Sequence, residues 1–182
     1  KYLDISENYL CELPEVICKL KNLHVLNLEK NRLQTLPESI GNLHNLIVLE
    51  LFENKISHLP ESIGNLHNLS ILDLRHNEIS HLPASLRKLK ALEALDVSGN
   101  QFCELPESIC ELENLHFFNI SENDKPSVGL IHFPHTARII PPRLLFSKKR
   151  ELRMEAKRCF RDSLNILENL DDYLEDWLSG NN

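Results

Sequence analysis

The protein has 182 residues, 42% of them hydrophobic and 26% charged, which is an ordinary composition with enough apolar side chains for a core. No run of eighteen apolar residues occurs, so the sequence carries no signature of a membrane span. Residues 1–123 contain ten Lys and Arg against eighteen Asp and Glu, a balance of −8, whereas residues 124–182 contain ten against nine, a balance of +1. Because nucleic-acid binding needs a basic footprint, the acidic part argues against a nucleic-acid partner and favours a protein with a basic or mixed surface.

A repeat with a fixed step of 23 residues organises the first two thirds of the chain. Its template is LxxLxLxxNxLxxLPxxIxxLxx, and four full copies begin at Leu23, Leu46, Leu69 and Leu92. A step of this length predicts a solenoid, in which each copy forms one coil and buries its apolar stripe against its neighbours. Two residue types mark the step: Asn8, Asn31, Asn54, Asn77, Asn100 and Asn123, and Pro14, Pro37, Pro60, Pro83 and Pro106.

Each copy begins with a predicted short strand. In the second full copy, Leu49 and Leu51 are expected to point inward, since alternate side chains of a strand lie on opposite faces. Val48 and Glu50 are then expected to point outward. Stacked copies of this strand predict a parallel sheet whose outward side chains line its concave face.

The rest of each copy returns the chain along the convex side. Asn54 ends the strand, and its amide is expected to bond backbone groups of its own coil and of the next coil. Pro60 is predicted as the first residue of a helical turn. Ile63 and Leu66 stand three apart and are expected on the inner face of that turn.

Taken in order, residues 1–123 are predicted to form four full and two partial repeats. The chain begins inside a repeat, so we expect it to be the C-terminal part of a longer protein. Residues 115–123 supply a last strand. The partial first copy has six side chains that are expected to point inward: Leu3, Ile5, Leu10, Leu13, Ile17 and Leu20.

After Asn123 the template fails, because Lys125 stands where Leu or Ile belongs. Residues 124–146 are predicted to be a connector, since four prolines there forbid a long helix. Residues 147–182 are predicted to form an amphipathic helix or helix pair, with Ser147 as a candidate N-cap. Because the end of a solenoid needs a polar-backed cover, we expect this segment to cap the last repeat.

The predicted C-terminal helix has an unusual order of charges. Lys148–Arg161 carries seven basic and two acidic side chains, and Asp162–Asp176 carries six acidic and no basic ones. This order opposes the helix dipole. A cap is one interpretation; a helix that binds a partner or masks the repeats is the other.

The cysteines indicate a reducing compartment. Cys11 and Cys103 stand four repeats apart, as do Cys18 and Cys110. At about 4.8 Å for each coil, members of a pair lie roughly 19 Å apart, beyond the reach of about 7 Å of a disulfide. We therefore expect buried or half-buried thiols in a cytoplasmic protein.

The concave face is the candidate functional surface. An apolar row is predicted beside a row of acidic and amide side chains, and exposed apolar patches of this kind commonly bind proteins. Phe52 is a candidate anchor, because an exposed aromatic ring on a sheet is a natural hot spot. Arg75 stands one repeat on and is expected to stack on it. The proposed protein-binding residues are Val25, Asn27, Glu29, Val48, Glu50, Phe52, Ile71, Asp73, Arg75, Asp96 and Phe117.

The sequence gives no indication of an enzyme, a cofactor or a metal. His58 and His81 stand one repeat apart, as do His44 and His67, and stacked histidines can share a metal. Each pair lacks obvious further ligands, so we predict no metal site. We also find no Gly-rich phosphate loop and no nucleophile–base arrangement that the repeat does not explain better.

The segment Leu36-Pro-Glu-Ser-Ile-Gly-Asn-Leu43, repeated at Leu59 and Leu105, resembles the 23-residue LPxxIxxL class of leucine-rich repeats. The resemblance covers about residues 1–123 and implies an α/β solenoid with a curved parallel sheet and a short helical or irregular convex side. Intracellular scaffolds of the Scribble and Erbin family, Ras-suppressor-like proteins and plant intracellular proteins share this class. The resemblance implies a non-catalytic scaffold that binds a protein partner on its concave face, in small-GTPase signalling or polarity complexes. The alternative is a recognition or regulatory arm of a larger enzyme whose catalytic part lies upstream.

Overall fold

A computed structural model describes residues 1–103 and 107–123 and, beyond them, the backbone of residues 138–139. In these residues the chain forms seven short parallel strands in one sheet, arranged in sequence order. No helix in the described ranges has the length and apolar character needed to cross a membrane. The strands are β1 (Tyr2–Asp4), β2 (Val25–Asn27), β3 (Val48–Glu50), β4 (Ile71–Asp73), β5 (Ala94–Asp96), β6 (Phe117–Asn119) and β7 (Arg138–Ile139).

The strand register follows the repeat. Leu26 pairs with Leu49, and Leu49 pairs with Leu72, so that equivalent residues of successive copies lie side by side. The open, parallel solenoid predicted from the repeat is therefore confirmed. The seventh strand departs from the step, because Ile139 pairs with Phe118. It lies within the predicted connector 124–146, while the predicted helix of residues 147–182 and its capping role lie outside the described residues.

Five short 3-10 helices form the convex side among the described residues. Pro60 precedes the third of them in extended conformation, with φ −68° and ψ 151°. It is therefore the residue before the helix, and its prediction as the first helical residue is wrong by one position. The helices are η1 (Ile17–Lys19), η2 (Glu38–Asn42), η3 (Glu61–Asn65), η4 (Ala84–Lys88) and η5 (Glu107–Glu111).

The predicted inward positions form one continuous apolar core. Leu49, Leu51, Ile63 and Leu66 are each fully buried. Leu20 is the exception, since 46% of it is exposed although it is predicted to point inward. Leu20 belongs to the first coil, and in the described part of the chain only the second coil packs against that coil. Leu20 is therefore covered on one side only.

The asparagines at the strand ends form the predicted ladder, but it runs in the other direction. Asn54 Nδ2 donates to the Leu28 carbonyl of the preceding coil at 3.0 Å and to the Leu51 carbonyl of its own coil at 3.1 Å. Its Oδ1 accepts from the Leu33 amide, also in the preceding coil, at 3.0 Å. The partners thus belong to the preceding coil and not to the next, because the turn after each strand reaches back across the stack.

A second ladder joins the convex helices. Glu38 at the start of η2 accepts a hydrogen bond from the Ser62 amide of the next coil at 3.1 Å, and Glu61 accepts one from the Ser85 amide at the same distance. The helices approach closely, because a Cβ at Gly64 would lie 2.5 Å from the Ser85 carbonyl oxygen. The glycine of the Glu-Ser-Ile-Gly motif therefore has a packing role.

The thiols differ from the prediction of buried or half-buried side chains. Cys18 is buried and Cys110 is half-buried, whereas Cys11 and Cys103 are exposed. The exposed pair follows the strand-end asparagine by three residues, where the turn leaves the core. Cys11, Cys18 and Cys103 are free thiols.

Candidate protein-binding face of the sheet

The outward side of the sheet carries three rows of side chains, which we call together the sheet face. The apolar row is Tyr2, Val25, Val48, Ile71, Ala94 and Phe117. The acidic row is Asp4, Asn27, Glu50, Asp73, Asp96 and Asn119. The third row follows two residues later and is Ser6, Glu29, Phe52, Arg75, Ser98 and Ser121.

The apolar row is less accessible than predicted. Val25, Ile71 and Phe117 are half-buried, and Val48 is buried, with only 6% of its surface exposed. Val48 pairs in register with Val25 on one side and Ile71 on the other, so two branched side chains cover it. The prediction that Val48 is an outward contact residue is therefore wrong, and the accessible apolar surface lies on its neighbours.

Most members of the acidic row are tied to the turn that follows their own strand. Asp96 accepts hydrogen bonds from the amide and the hydroxyl of Ser98, at 3.0 and 2.7 Å. Asn27 accepts one from the Glu29 amide at 2.9 Å. Only 9% of Asn27 is exposed, so its predicted contact with a partner is not supported by its position.

Glu50 differs from the other members of the row. It is half-buried, and its carboxylate has no hydrogen bond or ion pair to any residue that the structure describes. Burial raises the pKa of Glu50 to about 7, and the carboxylates of Glu29, Asp73 and Asp4 add to the effect, while Arg75 opposes it. Burial also raises the pKa of Glu29, again with a contribution from Asp73.

Phe52 is the centre of a cluster of rings and charges. The Arg75 guanidinium lies 4.7 Å from the centre of the Phe52 ring, which confirms the predicted stacking. The His76 ring meets the same ring edge-on, with centroids 5.5 Å apart and an interplanar angle of 66°. Phe52 is therefore half-buried and not the freely exposed anchor that was predicted. The contact with His76 could not be read from the repeat, since His76 lies outside the alternating strand positions.

Arg75 is the only Lys or Arg in the three rows, and its charge is already engaged. Its Nε donates to both Asp73 carboxylate oxygens at 2.8 Å, and its Nη2 also contacts Asp73. Asp96 lies 4.0 Å from the same Nε. Burial opposes the charged form, but the hydrogen bond to Asp73 and the nearby carboxylates outweigh it and raise the pKa of Arg75.

His76 occupies a strained turn beside this cluster. Its φ is +51°, and equivalent turn residues of other coils also have positive φ. The His76 ring lies against Gly99, where an added Cβ would approach Nδ1 to 2.5 Å. Its Nε2 lies 3.9 Å from Glu122, two coils along.

The paired histidines form hydrogen bonds within the solenoid. His58 Nδ1 lies 3.0 Å from the Ser57 hydroxyl, and its Nε2 lies 3.4 Å from the Thr35 hydroxyl. His81 Nδ1 lies 2.8 Å from the Ser80 hydroxyl. Across the described residues, no group of three or more His, Cys, Asp or Glu side chains is placed to hold a metal ion.

The repeat geometry agrees with a family comparison. A family model described as leucine-rich repeat region matches residues 1–73 and 61–134. The chain belongs to the leucine-rich repeat family. No curated protein matches it.

Solved leucine-rich repeat structures of plants are similar to this chain. The ectodomain of the Arabidopsis thaliana membrane receptor kinase GASSHO1/SCHENGEN3, in complex with CASPARIAN STRIP INTEGRITY FACTOR 2, is 36% identical with a TM-score of 0.62, over 68% of this chain and 16% of that chain. The plant peptide hormone receptor RGFR1, in complex with RGF2, is 34% identical with a TM-score of 0.61, over 67% and 20%. The ectodomain of the Arabidopsis thaliana receptor kinase SOBIR1 is 35% identical with a TM-score of 0.58, over 66% and 69%. The chain thus spans about a fifth or less of the first two structures.

Proposed function

We propose that this leucine-rich repeat protein is a non-catalytic interaction module that binds a protein or peptide partner on its sheet face. The observation that carries the proposal is the row of accessible apolar side chains, Val25, Ile71 and Phe117, directly beside a row of carboxylates. Such a surface has both parts of a protein interface, an apolar centre and a charged border. The peptide complex of RGFR1, a protein of similar fold, supports this class of partner.

The resemblance to Scribble-type and Ras-suppressor-type scaffolds supports a more specific version of this proposal. In that version the partner is a small GTPase or another component of a signalling or polarity complex, and the protein acts in the cytoplasm. The free thiols of Cys11 and Cys103, which are exposed, fit a reducing compartment. Recovery of a secreted protein or of the extracellular part of a membrane protein would contradict this version while leaving the binding proposal intact.

The second candidate is a recognition arm of a larger enzyme. Two of the similar solved structures are ectodomains of receptor kinases, which supports an architecture with a catalytic part elsewhere in the polypeptide. The full-length sequence tests this candidate, since a kinase, ligase or GTPase domain upstream would support it. The sheet face would then select the substrate or ligand of that enzyme.

The experiment is capture of the partner from lysate with the whole protein, followed by a comparison of surface variants. The double variant Phe52→Ala, Asp73→Lys removes the ring and reverses a charge on the sheet face. The matched control, His67→Ala with Glu78→Lys, makes the same two types of change at exposed positions outside the sheet face. We expect the first variant to lose the partner and the control to retain it. Unfolding temperatures close to that of the wild-type protein should show that both variants are folded. Equal recovery by both variants would refute the sheet face as the binding surface.

A further inference from the structure

In the acidic row, each carboxylate except that of Glu50 is bonded to an amide or guanidinium group, which reduces the repulsion between stacked carboxylates. Asn27 Nδ2 donates to Asp4 at 3.4 Å, and Asn119 Nδ2 donates to Asp96 at 3.1 Å. Asp73 is paired with Arg75. Glu50 is the member of the row whose carboxylate has no such partner among the described residues.

The charged groups around Glu50 are mostly negative and would favour a bound cation. It lies in register between Asn27 and Asp73 of the adjacent strands, and Glu29 is also near enough to interact with it electrostatically. Arg75, the only Lys or Arg among the described members of the three rows, is held by the Asp73 carboxylate and lies over the Phe52 ring. Among the described residues, no side chain therefore forms a hydrogen bond or an ion pair with the Glu50 carboxylate at the middle of the sheet face.

The apolar row beside Glu50 adds a second requirement. Along each strand the two rows lie two residues apart, about 7 Å. One ligand segment can therefore place an aliphatic side chain between Val25 and Ile71 and a charged side chain at Glu50. Residues 1–123 carry a net charge of −8, counted as ten basic against eighteen acidic side chains, so the long-range field favours the same sign of ligand.

We propose that the partner binds the sheet face through a basic segment, with an Arg or Lys side chain seated against Glu50 between Glu29 and Asp73. This inference rests on the proposed function and specifies the chemistry of the partner. A desolvated ion pair at the centre of an interface fixes register and discriminates strongly against partners of the wrong charge. Phe52 and Ile71 then supply the apolar contacts on either side of the pair.

The test is a selection of random peptides on the whole wild-type protein, repeated on Glu50→Gln, Glu50→Lys and Glu78→Gln. The Glu50 side chain forms no hydrogen bond with the described residues, so its replacement by Gln breaks none. Glu78 is an exposed acidic residue outside the sheet face and serves as the matched control. Unfolding temperatures establish that each variant is folded before selection.

We expect wild-type protein and Glu78→Gln to select peptides rich in Lys and Arg. Glu50→Gln should bind those peptides about tenfold more weakly, and Glu50→Lys, whose new cation can pair with Glu29 and Asp73, should no longer enrich them. Selection of neutral or acidic peptides by the wild-type protein, or equal affinity for wild-type and Glu50→Gln, would overturn the inference. If the selected peptides in that case still compete with the captured partner, the proposed function stands and only the inference about a basic segment fails. If no peptide is enriched, and the captured partner is also insensitive to the sheet-face double variant, both proposals fail.

Discussion

Replacing Glu50 by Gln should stabilise the protein at alkaline pH. The folded protein holds the pKa of Glu50 at about 7, above its ordinary value of 4.5, so the folded state binds this proton more tightly than the unfolded chain does. The associated stability is fully present below pH 4.5 and is lost as the pH rises through 7. A difference from 4.5 to about 7 corresponds to about 3 kcal/mol at roughly 1.4 kcal/mol for each pH unit. Because Glu50 is only half-buried, solvent screening reduces this to about 1–2 kcal/mol.

The assay is urea-induced unfolding of the wild-type protein and Glu50→Gln between pH 5 and pH 8, with Glu78→Gln as control. We expect the free energies of unfolding of wild type and Glu50→Gln to differ little at pH 5. The variant should become more stable by about 1–2 kcal/mol at pH 8, because burial and then the carboxylates of Glu29, Asp73 and Asp4 disfavour a charged Glu50 but not a neutral amide. Arg75 opposes part of this gain, since its attraction for the Glu50 carboxylate is lost. A difference that does not change with pH, or a wild-type protein that is the more stable at pH 8, would refute the assignment of uncompensated charge to Glu50.

Three further predictions concern the stacking of the coils, and urea unfolding at constant pH measures each of them. Ser62→Ala should leave the protein equally or more stable, because the buried Ser62 hydroxyl has no hydrogen-bond partner among the described residues, whereas Ser39→Ala should lose about 1 kcal/mol with the hydrogen bond to Glu15; equal losses would contradict this reasoning. Asn54→Ala should lose about 2–4 kcal/mol and speed amide exchange at Leu33, because the buried Leu33 amide loses its acceptor and the Leu28 carbonyl keeps only the Asn31 amide as donor; unchanged exchange would contradict it. Gly99→Ala should lose about 1–3 kcal/mol, because φ is +65° there and a Cβ would collide with His76; a neutral outcome would show that the His76 ring moves away at little cost.

The repeat step makes the fold predictable to the level of the strand register. A spacing of 23 residues requires equivalent positions to stack, so that Leu49 must lie between Leu26 and Leu72 once the coils form. The buried Asn54 follows from the same reasoning, since an amide at a fixed position inside an apolar stack needs backbone partners. Only the direction of its bonds could not be predicted, because that depends on the path of the turn.

What the period does not determine is how side chains of different type pack across coils. The alternation of strand side chains predicts only that Val48 points outward. It does not predict that the branched side chains on the two neighbouring strands leave Val48 buried. Phe52 contacts Arg75 at the equivalent position of the next coil, as predicted, but it also contacts His76, which stands one position further along the template. The left-handed turn at His76 also lacked a sequence signal, because Glu or Lys stands at this position in most coils and Gly only at Gly99.

The charge pattern of the sheet face follows from the demands of stacking. Parallel strands in register place equivalent side chains about 4.8 Å apart, so a carboxylate at every step would repel its neighbours throughout the solenoid. Alternation of acid and amide relieves this at Asp4 and Asn27, and an internal cation relieves it at Asp73. Glu50 stands between both devices but is bonded to neither, because the Asn27 amide donates to Asp4 and the Arg75 guanidinium is held by Asp73. A residue that breaks the local pattern at a cost in stability, in the middle of the sheet face, is the expected signature of a binding position. We propose that the partner supplies the basic side chain that would complete the row.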